Sequence, residues 1–279
     1  MSEPPRDILA FALDLADEAD RLSMSYYRGE LGTTTKADGS LVTLADRAVE
    51  TRLREEISRR YPDHAVLGEE HGYVEGAPGA GRWILDPIDG TNGFARGLPI
   101  WATLIAYEQD GVVQAGVASA PALGTRWWAG RGLGAYRGAC GVAAPAGGTH
   151  AGERIEVSST AALAESQVLY GAMKYILDRW PRINDVIRAS WRDRGYGDFW
   201  AHCLVAEGAA EAMLEPIVSP WDLGALIVIV EEAGGRMTDE AGVPGIDHGY
   251  AVTSNGHVHE ELLRLLRGRA IVSQTGDVA

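Results

Sequence analysis

A layered α/β fold, with helices and sheets stacked face to face, is predicted by three features of this sequence. Helical patterns open the chain, short apolar strand candidates then cluster without helices between them, and a second mixed group follows a Gly/Ala-rich stretch. Alternating βαβ units would interleave these patterns instead. A length of 279 residues suits one large domain or two closely joined ones. An apolar content of 46% and 35 glycines fit a compact mixed protein with many tight turns.

Ile8, Phe11, Leu15, Ala19 and Leu22 recur at helical spacing, predicting an amphipathic helix over residues 7–28 that ends at Gly29 and Gly32. A second helix starts near Thr43, carries Val49, Leu53 and Ile57 every fourth residue, and stops at Pro62. Strands are predicted at 65–67, 83–85, 101–107, 112–120, 126–129 and 134–137. Residues 138–152 read as a loop between halves, dividing the chain into 1–140, 153–270 and a fraying tail, 271–279. Strands at 167–170, 212–215 and 250–254 follow, with helices near 182–191, 200–210 and 260–267. The helix from Pro220 to Ala233 is the strongest, with Leu223, Leu226, Ile227 and Val230 to bury. Gly130, Gly132 and Gly134 resemble a phosphate loop only superficially, since no Lys-Ser/Thr follows; a turn between strands is the better reading.

The formal charge of −14, from 25 basic and 39 acidic residues, argues against nucleic acid or an anionic membrane as partner. An anionic small molecule remains compatible where cations are recruited locally. Cys140 and Cys203 are the only cysteines and lack metal-ligand spacing, so a reducing cytoplasm is the expectation. The acidic N-terminus has no signal-peptide pattern, and no apolar run approaches a membrane span.

The most informative segment is Trp83-Ile-Leu-Asp86-Pro-Ile-Asp89-Gly-Thr91. Asp86 ends an apolar run, Pro87 biases it away from helical angles, and Gly90 permits the turn that brings Asp89 back beside it. Two carboxylates forced together repel unless a proton or cation intervenes, and hard cations such as magnesium take such oxygen ligands. An Asx turn with solvated aspartates is the plainer reading of the same residues. Glu69, in Gly68-Glu-Glu-His-Gly72, sits at another strand end or in a simple surface turn. Asp222, after Ser219-Pro220, and Asp46, after Thr43, also read as helix caps. Taken together, Glu69, Asp86, Asp89, Asp222 and Asp46 all fall at strand ends or helix starts. If they converge, their charge requires two or three magnesium ions, which points to metal-assisted phosphoryl chemistry.

WILDPIDGTNGF and PWDLGALIVIVEEAGGRMTD resemble the two signature motifs of the inositol monophosphatase family, with LVTLADRAVE and LGEEHG matching its upstream elements in order and spacing. The resemblance covers roughly residues 7–267, and RGLPIWATLIAYEQDGVVQAGVASAPALGTRWWAGRGLGAY and YGDFWAHCLVAEGAAEAMLEPIVSPWDL are most similar to the family's bacterial histidinol-phosphate phosphatase branch. It implies an α+β layered fold, an αβαβα sandwich of the metal-dependent sugar phosphatase type. It implies that Glu69, Asp86 and the carbonyl of Ile88 hold one magnesium, and Asp86, Asp89 and Asp222 a second. Thr91 and Asp46 would orient the attacking water, the amides of Gly90 and Thr91 would receive the phosphate, and Lys36 would belong to a lid. Glu215, Gly197 and Asp198 would meet the organic part of the substrate. Asp198 suits a cationic amine or imidazole better than a polyol, unless it pairs with Arg192 or Arg194. Tyr196, Phe199 and Trp200 could stack a ring, but core is the expected role, as it is for Trp221 and Leu223.

One departure is Asn92-Gly93-Phe94 after Gly-Thr, where the family usually has Thr or Lys and then Asn-Phe; Gly93 loses a bracing side chain. Residues 170–180 also lack the family's Ser-rich pocket segment. The resulting expectation is a magnesium-dependent phosphomonoesterase hydrolysing L-histidinol phosphate by in-line attack of activated water. Inositol-1-phosphate or a specialised metabolite is the alternative substrate, and a silent metal-binding scaffold the remote one. A small phosphorylated metabolite and a homodimer are the expected partners. No nucleophile motif appears, and His71, His202, His257 and His259 read as surface or cap residues.

Overall fold

The computed structural model describes residues 5–29, 32, 34–35, 41–140 and 151–267. Helix α1 (Pro5–Tyr26) leads through a two-stranded ribbon, β1 (Thr34–Thr35) and β2 (Leu41–Val42), to α2 (Leu44–Arg60). Then come β3 (Ala65–Gly68), β4 (Gly72–Val74), β5 (Arg82–Asp89), the short α3 (Thr91–Ala95), and β6 (Ala102–Gln109). Four more strands follow: β7 (Val112–Ala120), β8 (Thr125–Gly130), β9 (Gly134–Ala139) and β10 (Glu153–Ile155). Strands β3 to β10 form one eight-stranded sheet in the order β10-β9-β8-β7-β6-β5-β3-β4, parallel only between β3 and β5.

The next segment holds β11 (Gln167–Tyr170), α4 (Met173–Arg179), α5 (Ile183–Ala189), β12 (Arg192–Arg194) and α6 (Asp198–Ala206). It continues with β13 (Ala212–Glu215), α7 (Pro220–Glu232), β14 (Arg236–Thr238), β15 (Ala251–Ser254) and α8 (His259–Arg267). Its five strands pair in the order β12-β11-β13-β15-β14.

Strand alternation sorts the layers. Trp83 and Leu85 of β5, with Ile105 and Tyr107 of β6, pack under α1 and α2. Ile84, Leu104 and Ala106 point the other way, into a core shared with α7. Because both faces are covered, these strands read as continuous apolar runs. Helix α6 places Phe199 and Cys203 in that same core and Ala201 and Val205 against Leu169 and Met213 of the smaller sheet. The far face of that sheet (Val168, Ala212, Leu214, Val252) is covered by Ile176 of α4, Val186 of α5 and Leu262 of α8. Two helices, sheet, two helices, sheet and three helices make an α+β sandwich with the αβαβα layering expected.

Besides the two-residue strands of the β1–β2 ribbon, the strands not foreseen, β4, β10, β12 and β14, are the edges of the two large sheets, each three residues long. Edge strands this short carry too few residues to show a period. The predicted helix at 200–210 instead spans Asp198–Ala206, before Gly208 at φ 75°. Lys36, most of the expected loop at 138–152 and the tail lie outside the described residues.

Candidate active site

The cleft is built around an irregularity in β5. Side chains three apart on a regular strand face opposite sides. Between Asp86, opposite Leu104, and Asp89, opposite Ala102, the register shifts, so three steps on β5 match two on β6. This bulge restores the two aspartates to one face. Pro87 suits it, having no amide to offer the ladder; its carbonyl accepts from Thr103 Oγ1 at 2.8 Å. Ile88 N donates to Asp86 Oδ1 at 3.0 Å, so the Asx turn is present within the cluster, not instead of it. Gly90 then turns the chain at φ 84°, where a Cβ would also stand 3.0 Å from the Ile100 carbonyl.

The two helix caps converge here as well. Asp222 Oδ2 accepts from Ser219 N at 2.7 Å at the start of α7. One oxygen each from Asp86, Asp89 and Asp222 lies within 4.8 Å of the others. At the start of α2, Asp46 Oδ2 accepts from Thr43 N at 2.8 Å and Thr43 Oγ1 at 2.6 Å. Its other oxygen, Oδ1, stands 3.2 Å from Thr91 Oγ1, which also lies 2.9 Å from the Ile88 carbonyl. Capping and convergence, alternatives in the sequence, hold together because a carboxylate has two oxygens.

A cleft of about 370 Å³ opens over Glu69, Asp86, Ile88, Asp89, Gly90, Thr91, Asp198, Glu215 and Asp222, with neither lysine nor arginine among its described lining residues. Burial pushes the Asp86 carboxyl well up from its ordinary value, and the charges of Glu69, Asp89, Asp222 and Asp46 push it further. Asp89 is raised well up by burial, then by Asp198 and Asp222, against the lowering hydrogen bond from Phe199 N at 2.7 Å. Asp46 is raised by burial despite its capping bonds. Such a set holds its charge only with an external cation. Its donors are all oxygen, the chemistry of a hard divalent ion.

Asp198 opens α6 in the left-handed region, at φ 56°, a conformation that strains a non-glycine residue. That turn directs its own amide at Glu215 and the next one, of Phe199, at Asp89. Glu215 is 8% exposed and its Oε2 has no hydrogen-bond partner among the described residues. Burial raises its carboxyl well above the usual range, followed by the charges of Asp198 and Asp222. Asp198 lies at the open rim of the cleft, its carboxyl raised by partial desolvation. No ion pair joins it to Arg192 or Arg194 among the described residues; both arginines lie exposed on edge strand β12. Gly197, the N-cap of α6, is not among the residues lining the cleft.

Two histidine expectations are corrected. His202, four residues along α6 from Asp198, is 1% exposed and lines the cleft, bonded through Nδ1 to Thr253 Oγ1 at 2.9 Å. Burial lowers it to about 3, so it stands there as a neutral ring. His259 is buried between Ser254 Oγ and Thr238 Oγ1, each at 2.8 Å. His202 sits in a helix packed between the two sheets and His259 on the inward side of the outer helix α8, placements that sequence spacing does not reveal for an isolated histidine. His71 and His257 are exposed, as expected. Phe199 is core, edge-on to Trp127 at 6.1 Å, whereas Tyr196, expected in the core, is exposed and packs on the half-buried Trp200 at 5.2 Å.

Comparison with known proteins agrees with this architecture. The model of the inositol monophosphatase family matches residues 5–269. A histidinol-phosphatase of Mycobacterium tuberculosis is 45% identical over 93% of this chain and 98% of its own length. One of Streptomyces coelicolor is 41% identical, over 94% and 98%. Among solved structures, the Thermotoga maritima IMPase superposes with a TM-score of 0.80 at 30% identity, covering 94% of this chain and 97% of its own. With motifs, layers and whole-length matches in agreement, the chain belongs to the inositol monophosphatase family.

Proposed function

We propose that this protein is a magnesium-dependent phosphomonoesterase that hydrolyses L-histidinol phosphate to histidinol and phosphate. The relatives in Mycobacterium and Streptomyces are named for that activity. The observation that carries the substrate choice is the acidic pair beyond the metal cluster: strained Asp198 at the rim and Glu215 with its unpartnered Oε2. That pair suits an organic group carrying an ammonium or imidazolium charge, where each charge-assisted hydrogen bond contributes about 1.5–3 kcal/mol.

In this reading Glu69, Asp86 and the Ile88 carbonyl would hold one magnesium, and Asp86, Asp89 and Asp222 a second, with room in the charge balance for a third. The Ile88 carbonyl can do so while accepting from Thr91, because it has two lone pairs. Magnesium at these positions supplies neutralisation and polarisation of the phosphoryl group. The Thr91 hydroxyl, braced by Asp46 Oδ1 and the Ile88 carbonyl, orients the attacking water. When the Thr91 hydroxyl turns its one hydrogen from the Ile88 carbonyl to Asp46 Oδ1, Asp46, made more basic by burial, takes up that proton while Thr91 accepts one from the water. The amides of Gly90 and Thr91 face the phosphate. A cytoplasmic homodimer completes the reading: both cysteines are buried free thiols, and Trp191, 65% exposed beside edge strand β12, is apolar surface of the kind a second copy covers.

The test is a magnesium titration of phosphate release from histidinol phosphate and from inositol-1-phosphate. Higher kcat/KM for histidinol phosphate is expected. Asp198→Asn should cut that value by roughly 10-fold or more while sparing inositol-1-phosphate. A clear preference for inositol-1-phosphate, the second reading and the one the Thermotoga IMPase favours, overturns the choice. Light scattering of the purified protein decides the dimer.

A further inference from the structure

Helix α2 serves the cleft twice. Its first turn carries Asp46, and four positions on, along the same helix face, stands Glu50. Glu50 is 0% exposed, a costly place for a carboxylate unless hydrogen bonds and a cation compensate it. The compensation comes from Arg54 and from the β3–β4 turn that bears Glu69. Glu50 Oε2 accepts from Glu70 N at 2.7 Å, and Oε1 accepts from His71 N at 3.1 Å. Arg54 Nε donates to Glu50 Oε1 at 2.7 Å, while Arg54 Nη2 donates to the Gly72 carbonyl. Gly68 leaves the necessary room, since a Cβ there would collide with the Glu50 carboxylate. The turn is therefore gripped at two amides and one carbonyl from α2, and Glu69 is its one residue lining the cleft.

We propose that Glu50, seconded by Arg54, is a positioning residue that fixes Glu69 and thereby sets how tightly the acidic cluster holds a divalent cation. The inference rests on the reading of Glu69 as a metal ligand. Glu50 touches neither cation nor substrate; it acts through the turn. A carboxylate is needed because both oxygens accept from backbone amides, and a glutamine would set a donor against a donor. Outer partners of metal ligands typically govern 10–100-fold in metal affinity, although none of them touches the ion.

Manganese(II) binding to the full-length, substrate-free protein, followed by loss of the free-ion EPR signal, tests this without reference to turnover. Glu50→Gln is expected to weaken binding about 10-fold with the far-UV circular dichroism unchanged. In a Glu69→Ala background, already weakened, the same substitution should change the affinity little, because the residue it positions is gone. Arg54→Lys keeps the charge but loses the fork to Gly72, and should weaken binding by a smaller factor; it decides the matter if Glu50→Gln does not fold. Unchanged affinity in the folded variants, or an equal loss with and without Glu69, overturns the proposal. If Glu69→Ala alone binds manganese like the parent, the ligand role of Glu69 fails first and this inference with it.

Discussion

Asp86 is the residue on which the cleft depends most, because it sits at the centre of the repulsion, nearly buried, with four other acids raising its carboxyl. Replacing it removes charge without changing shape. Asp86→Asn and Asp222→Asn are expected to lower turnover on the order of 10³-fold, the scale of losing a transition-state charge stabiliser. Circular dichroism should show both folded, and the metal-free Asp86→Asn protein should melt above the metal-free parent. Thr91→Ala should lower kcat on the order of 10²-fold, with Thr91→Ser recovering most of it, as expected for a hydroxyl that positions water and passes a proton. Steady-state kinetics at saturating magnesium check both. Asp198 was singled out through the family resemblance, and it does line the cleft. Its left-handed backbone and the amides it aims at Glu215 and Asp89 were not legible, since nothing in Gly-Asp-Phe specifies φ.

At the level of elements, α7 is the spine of the molecule, buried along Leu223–Val230 between the large sheet and the rest of the fold. Its approach is close enough that a Cβ at Gly116 of β7 would meet the Ala225 carbonyl. Gly116→Ala is expected to destabilise the protein by about 1–3 kcal/mol through overpacking. Urea denaturation should show a lower midpoint with an unchanged slope, and the tilt forced on α7 should also raise the magnesium requirement through Asp222. Long elements were legible because α1 and α2 repeat one apolar period over several turns, while β7 and α7 are apolar runs too long to be missed. The three-residue edge strands and the short α3 and α4 carry no full period; the sheets and layers they join impose their conformation.

For the whole molecule, the acidic cluster should govern the pH dependence of stability. Asp86, Asp89 and Glu215 have folded-state carboxyls raised above their ordinary values of 3.8, 3.8 and 4.5. A group raised in this way keeps its proton more firmly folded than unfolded, so its contribution is full below the ordinary value and is lost as pH rises through the folded one. In EDTA, the urea midpoint should therefore fall as pH rises from about 4, less steeply in Asp86→Asn. Magnesium should flatten or reverse that slope, adding about 2.7 kcal/mol at one hundred times its dissociation constant. A midpoint indifferent to magnesium at neutral pH would contradict the cation cluster.

The sequence by itself determined which acids are available, their placement at strand ends and helix starts, and the apolar periods that build the layers, because these are properties of neighbouring residues. Tertiary structure alone decided that the acids meet. The bulge after Asp86 turns two opposed aspartates onto one face, and the packing of α2, α6 and α7 against the large sheet brings Asp198 and Asp222 to the same cleft and Asp46 behind its Thr91. It also decided that His202 is a buried neutral ring and that Glu50 grips the turn of Glu69. Apart from the bulge itself, those are approaches between residues 20 to 136 positions apart, and local pattern carries no information about which distant surface a side chain will meet.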